Sequence, residues 1–417
     1  MRFIDLFAGL GGFHIALKKL GHECVFASEI VPELQQLYKY NFGTDVSGDI
    51  TKIPLSEIPE HDVLCAGFPC QPFSKAGRQQ GMKEERGKLI NRVIDILAHH
   101  QPSYFILENV RNLEKHDNGN TWKYIKTQLE NLDYSVDKRI ISPHNIGIPQ
   151  HRERIFIVGS KVGLSHFHWI ESRPITTDTT SIIDVDESDP SLSIEPEKIT
   201  VLNTWQKFLD VLPLGVKPYS PLWSMEFGAT YPCEDIDYNS IEPEKLWDYK
   251  GSFGIPLKGM SKKEIMSHLP NYIKTQKGAI PKWKQNYIKN NRRFYKTYKE
   301  YIDTILPQIK QLPVESWQKF EWNCGDSGQN IWQYIIQFRG SGVRVKQIDF
   351  FPSLVTVQTQ MPIIGWLQRY ISRKEGARSQ SIPDNIRLPE TIPAAFKALG
   401  NSVNTDIVFE IAQSLIR

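Results

Sequence analysis

Short apolar runs alternate with amphipathic stretches over the first 160 residues of the chain. Arg2 to Phe7, Cys24 to Ser28, Asp62 to Ala66, Tyr104 to Leu107 and Ile155 to Val158 read as strands, being short and almost continuously apolar. Between them the helical period predicts helices from Phe13 to about Leu20, Pro32 to Tyr40, Gly87 to His99 and Trp122 to Leu132, with Pro32 in a first turn where its missing N–H costs nothing. Strands apolar on both faces need cover on both faces. The pattern therefore predicts an α/β fold, a mostly parallel sheet between two layers of helices.

The rhythm changes after residue 160. Thr176 to Pro196 places Asp178, Asp184, Asp186, Glu187, Asp189 and Glu195 among Ser, Thr and Pro, and reads as an exposed acidic loop or linker. Lys245 to Lys310 holds fifteen Lys/Arg against four Asp/Glu, a local excess of 15 − 4 = +11 that the chain's net +3 conceals. Within it Trp283, Tyr287, Phe294, Tyr298, Tyr301 and Ile305 recur at helical spacing and predict one amphipathic helix with an aromatic core stripe. Its basic face has two readings, a phosphate-contacting surface or a merely solvated one. The final segment, Ala394 to Ile416, reads as a turn at Leu399-Gly400-Asn401-Ser402 followed by a helix.

A chain of 417 residues has room for two or three domains, and with 40% hydrophobic and 23% charged residues it can build a core. No apolar run approaches the roughly 18–20 residues of a membrane span, and Met1-Arg2-Phe3 enters a strand directly. Five cysteines without C-x-x-C spacing argue against a disulfide framework or a zinc site, so the expectation is a cytoplasmic protein without a metal.

Two places carry chemistry. The first is the glycine turn Phe7-Ala8-Gly9-Leu10-Gly11-Gly12 after the first strand, where the backbone can approach a ligand. A dinucleotide fingerprint would require Gly or Ala at the sixth position from Gly9, which is His14, so a nicotinamide or flavin reading weakens. Glu29 ends the second strand, where a carboxylate can accept from ribose hydroxyls, and Asp49 falls at the end of a third. Each alone reads as a cap or turn residue; together they outline a nucleoside site. The second place is Gly67-Phe68-Pro69-Cys70-Gln71-Pro72-Phe73-Ser74. Two prolines stiffen the backbone around Cys70 at a strand's carboxyl end, which favours a reactive thiolate, whereas Cys65 inside the strand reads as inert.

With these residues in place the chain resembles the DNA (cytosine-5) methyltransferase family. Phe7 to Gly11 is similar to its S-adenosylmethionine loop, and Pro69-Cys70-Gln71 to its nucleophile loop. Glu108-Asn109-Val110 matches its ENV block, Gln150-His151-Arg152-Glu153-Arg154 its QxRxR block, and Gly400-Asn401-Ser402-Val403 its GNSV turn. Five blocks in the family's order make the likeness specific; it covers about residues 1–160 and 340–417. One block departs from the pattern: Gln380-Ser381-Ile382-Pro383 stands where the family has QGFP, in a region that organises the recognition domain in the family.

The resemblance implies a Rossmann-like S-adenosylmethionine-dependent fold with a smaller target recognition domain. It divides the chain into a catalytic region 1–165, a recognition region 166–345, a hinge 346–393 and a returning segment 394–417. It implies Cys70 as nucleophile on cytosine carbon 6, Glu108 as the acid at ring N3, Arg154 as partner of Glu108 and donor to O2, and Arg152 beside them. Phe7, Gly9, Gly11, Glu29, Asp49, Pro69 and Asn401 are the implied cofactor residues. Lys75, Arg78, Gln79, Gln80, Gly81, Arg86 and Gly87 read either as a mobile basic loop over a flipped base or as a plain surface loop. The expected partner is duplex DNA, acted on by a monomer at the nucleoid. The biology is that of a restriction–modification system whose cognate endonuclease shares the site. The rivals are a tRNA cytosine-5 methyltransferase and a catalytically silent DNA-recognition protein on the same fold, which would have no chemical reason to keep Cys70, Glu108 and Arg154.

Overall fold

The computed structural model describes residues 1–69, 88–173, 175–234, 236–238, 240–276, 278–325, 328–354 and 358–416. Cys70 and the basic loop that follows it therefore lie outside the described residues. The chain forms two compact units. Unit 1 comprises residues 1–187, 348–358 and 371–417, and unit 2 comprises 188–347 and 359–370. Along the chain the unit changes at 187/188, 347/348, 358/359 and 370/371.

Unit 1 opens with β1 (Arg2–Leu6), α1 (Gly12–Lys19), β2 (Glu23–Ser28), α2 (Pro32–Phe42), β3 (Val46–Ser47) and β4 (Val63–Gly67). It continues with α3 (Lys88–His100), β5 (Tyr104–Val110), α4 (Asn120–Glu130), β6 (Ser135–Ile141), β7 (Gln150–His151) and β8 (Arg154–Ser160). Seven strands form one sheet in the order β3-β2-β1-β4-β5-β8-β6. Only β8 runs against its neighbours. This is the mostly parallel α/β sheet the hydrophobic pattern predicts. Its central strands are buried on both faces, with separate apolar clusters above and below. β6 escaped the sequence reading because it lies at the sheet edge, where alternate residues face solvent and the apolar run is broken.

Unit 2 holds α5 (Pro196–Val211), β9 (Leu222–Trp223), the short helices α6 (Lys262–Ser267) and α7 (Asn271–Lys274), α8 (Lys282–Thr297), α9 (Lys299–Lys310), β10 (Lys319–Asn323), β11 (Ile335–Arg339) and β12 (Gly342–Lys346). β13 (Phe351–Pro352) returns to unit 1 and pairs with β7. β14 (Ile363–Ile364) and β15 (Arg369–Tyr370) then complete the unit 2 sheet, of order β15-β14-β11-β12-β10-β9. The chain ends in unit 1 with α10 (Arg373–Arg378), α11 (Ile392–Asn401) and α12 (Thr405–Leu415).

The acidic stretch is a largely exposed loop, with Asp178, Asp186, Asp189 and Glu195 on the surface, tied down at a few points: Thr179 donates from its N–H and its hydroxyl to the Ile348 carbonyl, both at 2.8 Å, and Leu192 and Ile194 are buried. Asp178 and Asp189 accept from the N–H groups of Thr180 and Ser191, so two of its acids cap turns. The single aromatic helix is two helices, broken at Tyr298 (φ −115°, ψ 28°). The break re-phases the pattern, so Ile288, Asn291, Ile302, Ile305, Leu306 and Ile309 face inward while Trp283 and Tyr301 stay exposed. Among the described residues no helix is long and apolar enough to cross a membrane.

α8 is pinned to unit 2 by a buried charge. Glu226 is wholly buried and accepts from Arg292 Nε at 2.9 Å and from the hydroxyls of Tyr231 and Tyr272. Arg292 also donates to the Tyr231 carbonyl at 2.7 Å. Removing the cation would strand a carboxylate in an apolar core. Arg292→Met should therefore lose about 3–5 kcal/mol of unit 2 stability. Denaturant melts measure this, and a loss below about 1 kcal/mol would mean that Glu226 is stabilised by the tyrosines alone.

Candidate active site

The site lies in unit 1 at the carboxyl ends of β1, β2, β4 and β5, where parallel sheets leave backbone groups free for ligands. A cavity of about 420 Å³ opens there. That is within the range of cavities that hold nucleoside-sized molecules. Its lining includes Phe7, Gly9, Glu29, Asp49, Pro69, Glu108, Arg152, Arg154 and Asn401.

β1 runs into a turn that Phe7 (φ 57°) and Gly9 (φ 55°) enter in the left-handed region. A side chain at Gly9 would meet only the Phe7 carbonyl, 3.9 Å away, so the backbone there is open to a ligand. The Gly9 N–H donates to Glu29 Oε2 at 2.9 Å, and the Val31 N–H to Glu29 Oε1 at 2.9 Å. Each oxygen keeps a lone pair, and the carboxylate plane is fixed before any ligand arrives. Gly11 is not among the lining residues. A Cβ on it would stand 2.3 Å from Phe42, so this glycine (φ 78°) serves the packing of α1 against α2. Beneath the turn His14 stacks on Phe42 and shares a 2.8 Å hydrogen bond with the Tyr38 hydroxyl; burial pushes it down to about 4, leaving a neutral core histidine.

Asp49 combines both readings the sequence allows. Its Oδ1 accepts from the Thr51 hydroxyl (2.7 Å) and N–H (3.0 Å), which favour the ionised form and hold its pKa below the usual carboxylate range, and it also borders the cavity.

β4 and β5 pair in parallel, with Gly67 opposite Glu108. Glu108 is buried, and Arg154 Nε stands 3.0 Å from its Oε1 without being aligned for a hydrogen bond. Burial raises this carboxyl above its ordinary range, against the opposing pull of Arg154 and Arg152. Such a group keeps a proton at a pH where an exposed glutamate has lost it. Next to it the buried Asn109 donates from Nδ2 to the Phe68 carbonyl at 3.0 Å and so holds the backbone leading to Pro69. Burial pushes the Cys65 thiol far up, consistent with an inert core position.

Arg152 borders the cavity, and its Nη2 is turned to the backbone, bonding to the carbonyls of Gly400 (2.9 Å) and Ser402 (2.7 Å), while Nη1 donates to Ser353 Oγ at 3.5 Å. It thereby grips both sides of Asn401. Gln150, wholly buried, donates to Ser379 Oγ at 2.9 Å. The departing QSIP segment serves the same junction. Gln380 donates to the Leu399 carbonyl, while the Thr405 hydroxyl donates to the carbonyl of Ser381, which takes the left-handed conformation (φ 57°). These bonds lie within unit 1 and support the C-terminal turn.

Residues not singled out in the sequence also border the cavity, among them Ile30, Val31, Ile50, Leu89 and Lys397. Lys397 was findable: it precedes Asn401 by four residues on α11, hence on the same helical face. Asn109 had a signal as well, lying within the ENV block.

The family description "C-5 cytosine-specific DNA methylase" matches residues 1–209 and 240–417. The Type II methyltransferase M.BanI of Aneurinibacillus aneurinilyticus is 30% identical over an alignment that takes in the whole of this chain and 96% of that protein. M.DsaV of Dactylococcopsis salina is 52% identical over 159 residues, 38% of this chain and 45% of its own length. The chain thus spans less than half of that relative in the matched part. Among solved structures, a methyltransferase of Entamoeba histolytica superposes with a TM-score of 0.54 at 15% identity, over 100% of this chain and 97% of that one, a likeness of fold.

Proposed function

The chain belongs to the C-5 cytosine-specific DNA methylase family, and from that premise we propose that it methylates carbon 5 of a cytosine within a specific duplex DNA sequence. The observation that carries this reading is one cavity in which the Gly9–Glu29–Asp49 cradle opens onto the Glu108–Arg154 pair. S-adenosylmethionine, when bound in that cradle, supplies a methyl group carried on a positively charged sulfonium. Glu29 would accept from its ribose hydroxyls and Asp49 from its adenine amine, with Phe7, Pro69 and Asn401 in the pocket wall.

On the substrate side the target ring leaves the base stack, at a cost of roughly a few kcal/mol, to reach the pocket. The Cys70 thiolate adds to carbon 6, and a proton held by Glu108 at ring N3 offsets the charge this addition places on the ring. Arg154 positions Glu108 and donates to O2. Carbon 5, now enamine-like, would take the methyl group as its bond to the sulfonium breaks and the sulfur leaves as a neutral thioether. Loss of its proton, with water as the acceptor, expels Cys70 and restores aromaticity. We further propose that unit 2 supplies target recognition, and that the protein works as a monomer at the nucleoid, protecting DNA against a cognate endonuclease.

The test is transfer of labelled methyl groups from S-adenosylmethionine to duplex DNA and to tRNA in parallel. Label is expected in duplex DNA, and bisulfite sequencing would then map the site. Label in tRNA alone would overturn the proposal, as would label in neither.

A further inference from the structure

α8 contains six basic residues and no acidic one. Its inward face is fully committed: Ile288 is buried, Asn291 accepts from the Trp223 N–H at 2.8 Å, and Arg292 is bound to Glu226. The opposite face carries Lys282, Asn286, Lys289, Arg293 and Lys296, all exposed and spaced 4, 3, 4 and 3 residues apart. They form one stripe down the middle of the solvent face. At 1.5 Å per residue it is about 21 Å long, a distance over which one strand of B-DNA presents about six phosphates.

The stripe is not an ordinary solvated face. Such a face mixes signs, with glutamates one turn from lysines. Here Lys289 and Arg293, then Arg293 and Lys296, are like-charged neighbours that destabilise the helix they sit on. Lys289 reaches Glu234, outside the helix. Among the described residues Lys282 and Lys296 have no acidic partner, and Arg293 bonds only to the Asn290 amide, at 2.8 Å. The next helix is built differently, since α9 has Glu300 and Asp303 and pairs Lys299 with Asp303. A cationic row of which only Lys289 has an acidic partner among the described residues is complementary to a regular polyanion.

We propose that the solvent face of α8 lies along the phosphodiester backbone of the duplex, with Lys282, Arg293 and Lys296 as phosphate contacts that hold unit 2 on DNA without reading its sequence. This rests on the DNA-methylating reading above. Bases must then be read by other parts of unit 2.

The experiment is equilibrium binding of the full-length protein to a short duplex carrying the site mapped by bisulfite sequencing, and to one lacking it, from about 50 to 200 mM salt. Each phosphate contact contributes about 0.9 to the slope of log K against log salt concentration, so K282A/R293A/K296A should flatten the slope by about 2.7 on both duplexes. The ratio of specific to non-specific affinity, the KM for S-adenosylmethionine and kcat at saturating DNA should stay as in the wild type, and the melting temperature should not fall, since the substitutions relieve like-charge repulsion on the helix. An unchanged slope would overturn the proposal, and so would a collapse of the specificity ratio, which would place these side chains on bases. If the wild type fails to methylate duplex DNA, the underlying reading fails instead; if it methylates normally and the triple variant keeps the wild-type slope, only the α8 assignment falls.

Discussion

Cys70→Ala is expected to drop methyl transfer to below about 10⁻⁴ of the wild-type rate, because the step it removes makes the ring reactive in the first place. Carbon 5 of an aromatic cytosine has too little electron density to attack a sulfonium. No rearrangement of the remaining residues supplies the missing sulfur–carbon 6 bond. The stronger form of the prediction uses duplex DNA in which the target cytosine is replaced by 5-fluorocytosine. Methyl transfer then leaves fluorine on carbon 5, where a proton would ordinarily depart, and elimination of the thiol stalls. The wild type should run as a covalent protein–DNA adduct on denaturing gels, and Cys70→Ala should form none. Cys65→Ala serves as the control, since that thiol is fully buried in β4 and burial holds it protonated. An adduct that survives in Cys70→Ala, or fails to form in the wild type, would remove the mechanism.

Glu108→Gln should keep the shape of the pocket and lower kcat by about 10²–10⁴, the contribution of a positioned proton donor. Glutamine can hydrogen-bond at the ring nitrogen but cannot share a proton with it. Because burial raises the Glu108 carboxyl above its ordinary range, the protonated form persists at higher pH than usual. The wild-type kcat should therefore fall as pH rises through that raised value, and the variant's profile should lose this limb. The same shift has a sign for stability. A carboxyl with a raised folded-state value binds more protons folded than unfolded, so folding is penalised progressively as pH climbs from the unfolded value through the folded one. Glu108→Gln should remove that part of the pH dependence of unfolding. A wild-type kcat flat across this range, together with full activity in the variant, would show that N3 is not protonated from this residue.

The core of unit 1 was legible because its strands are continuous apolar runs, and such runs can only be central strands covered on both faces. The alternating β6 was not legible, since an edge strand buries one face and its Lys138 and Arg139 read as surface. The break at Tyr298 was hidden for a related reason. A periodicity spans a kink without showing it, and the inward phase of each half is set by what it packs against.

The site divides along the same line. Glycine, proline, cysteine and carboxylate at fixed spacing declare what a short segment can do, and the residues flanking Gly9, Cys70 and Glu108 did so from the sequence alone. What Arg152 touches could not be read that way, because its partners Gly400 and Ser402 lie some 250 positions along the chain. The packing of Phe42 over Gly11, the clamp of Asn109 on Phe68 and the presence of Lys397 at the rim are likewise long-range facts. The sequence by itself determined the central strands of the sheet, the candidates for the reacting groups and the excess of charge between 245 and 310. Only the tertiary structure decided which groups share a cavity, which cations are neutralised and which are left facing solvent. Local chemistry is a property of neighbouring residues in the chain, whereas burial and pairing are set by segments that fold back from far away.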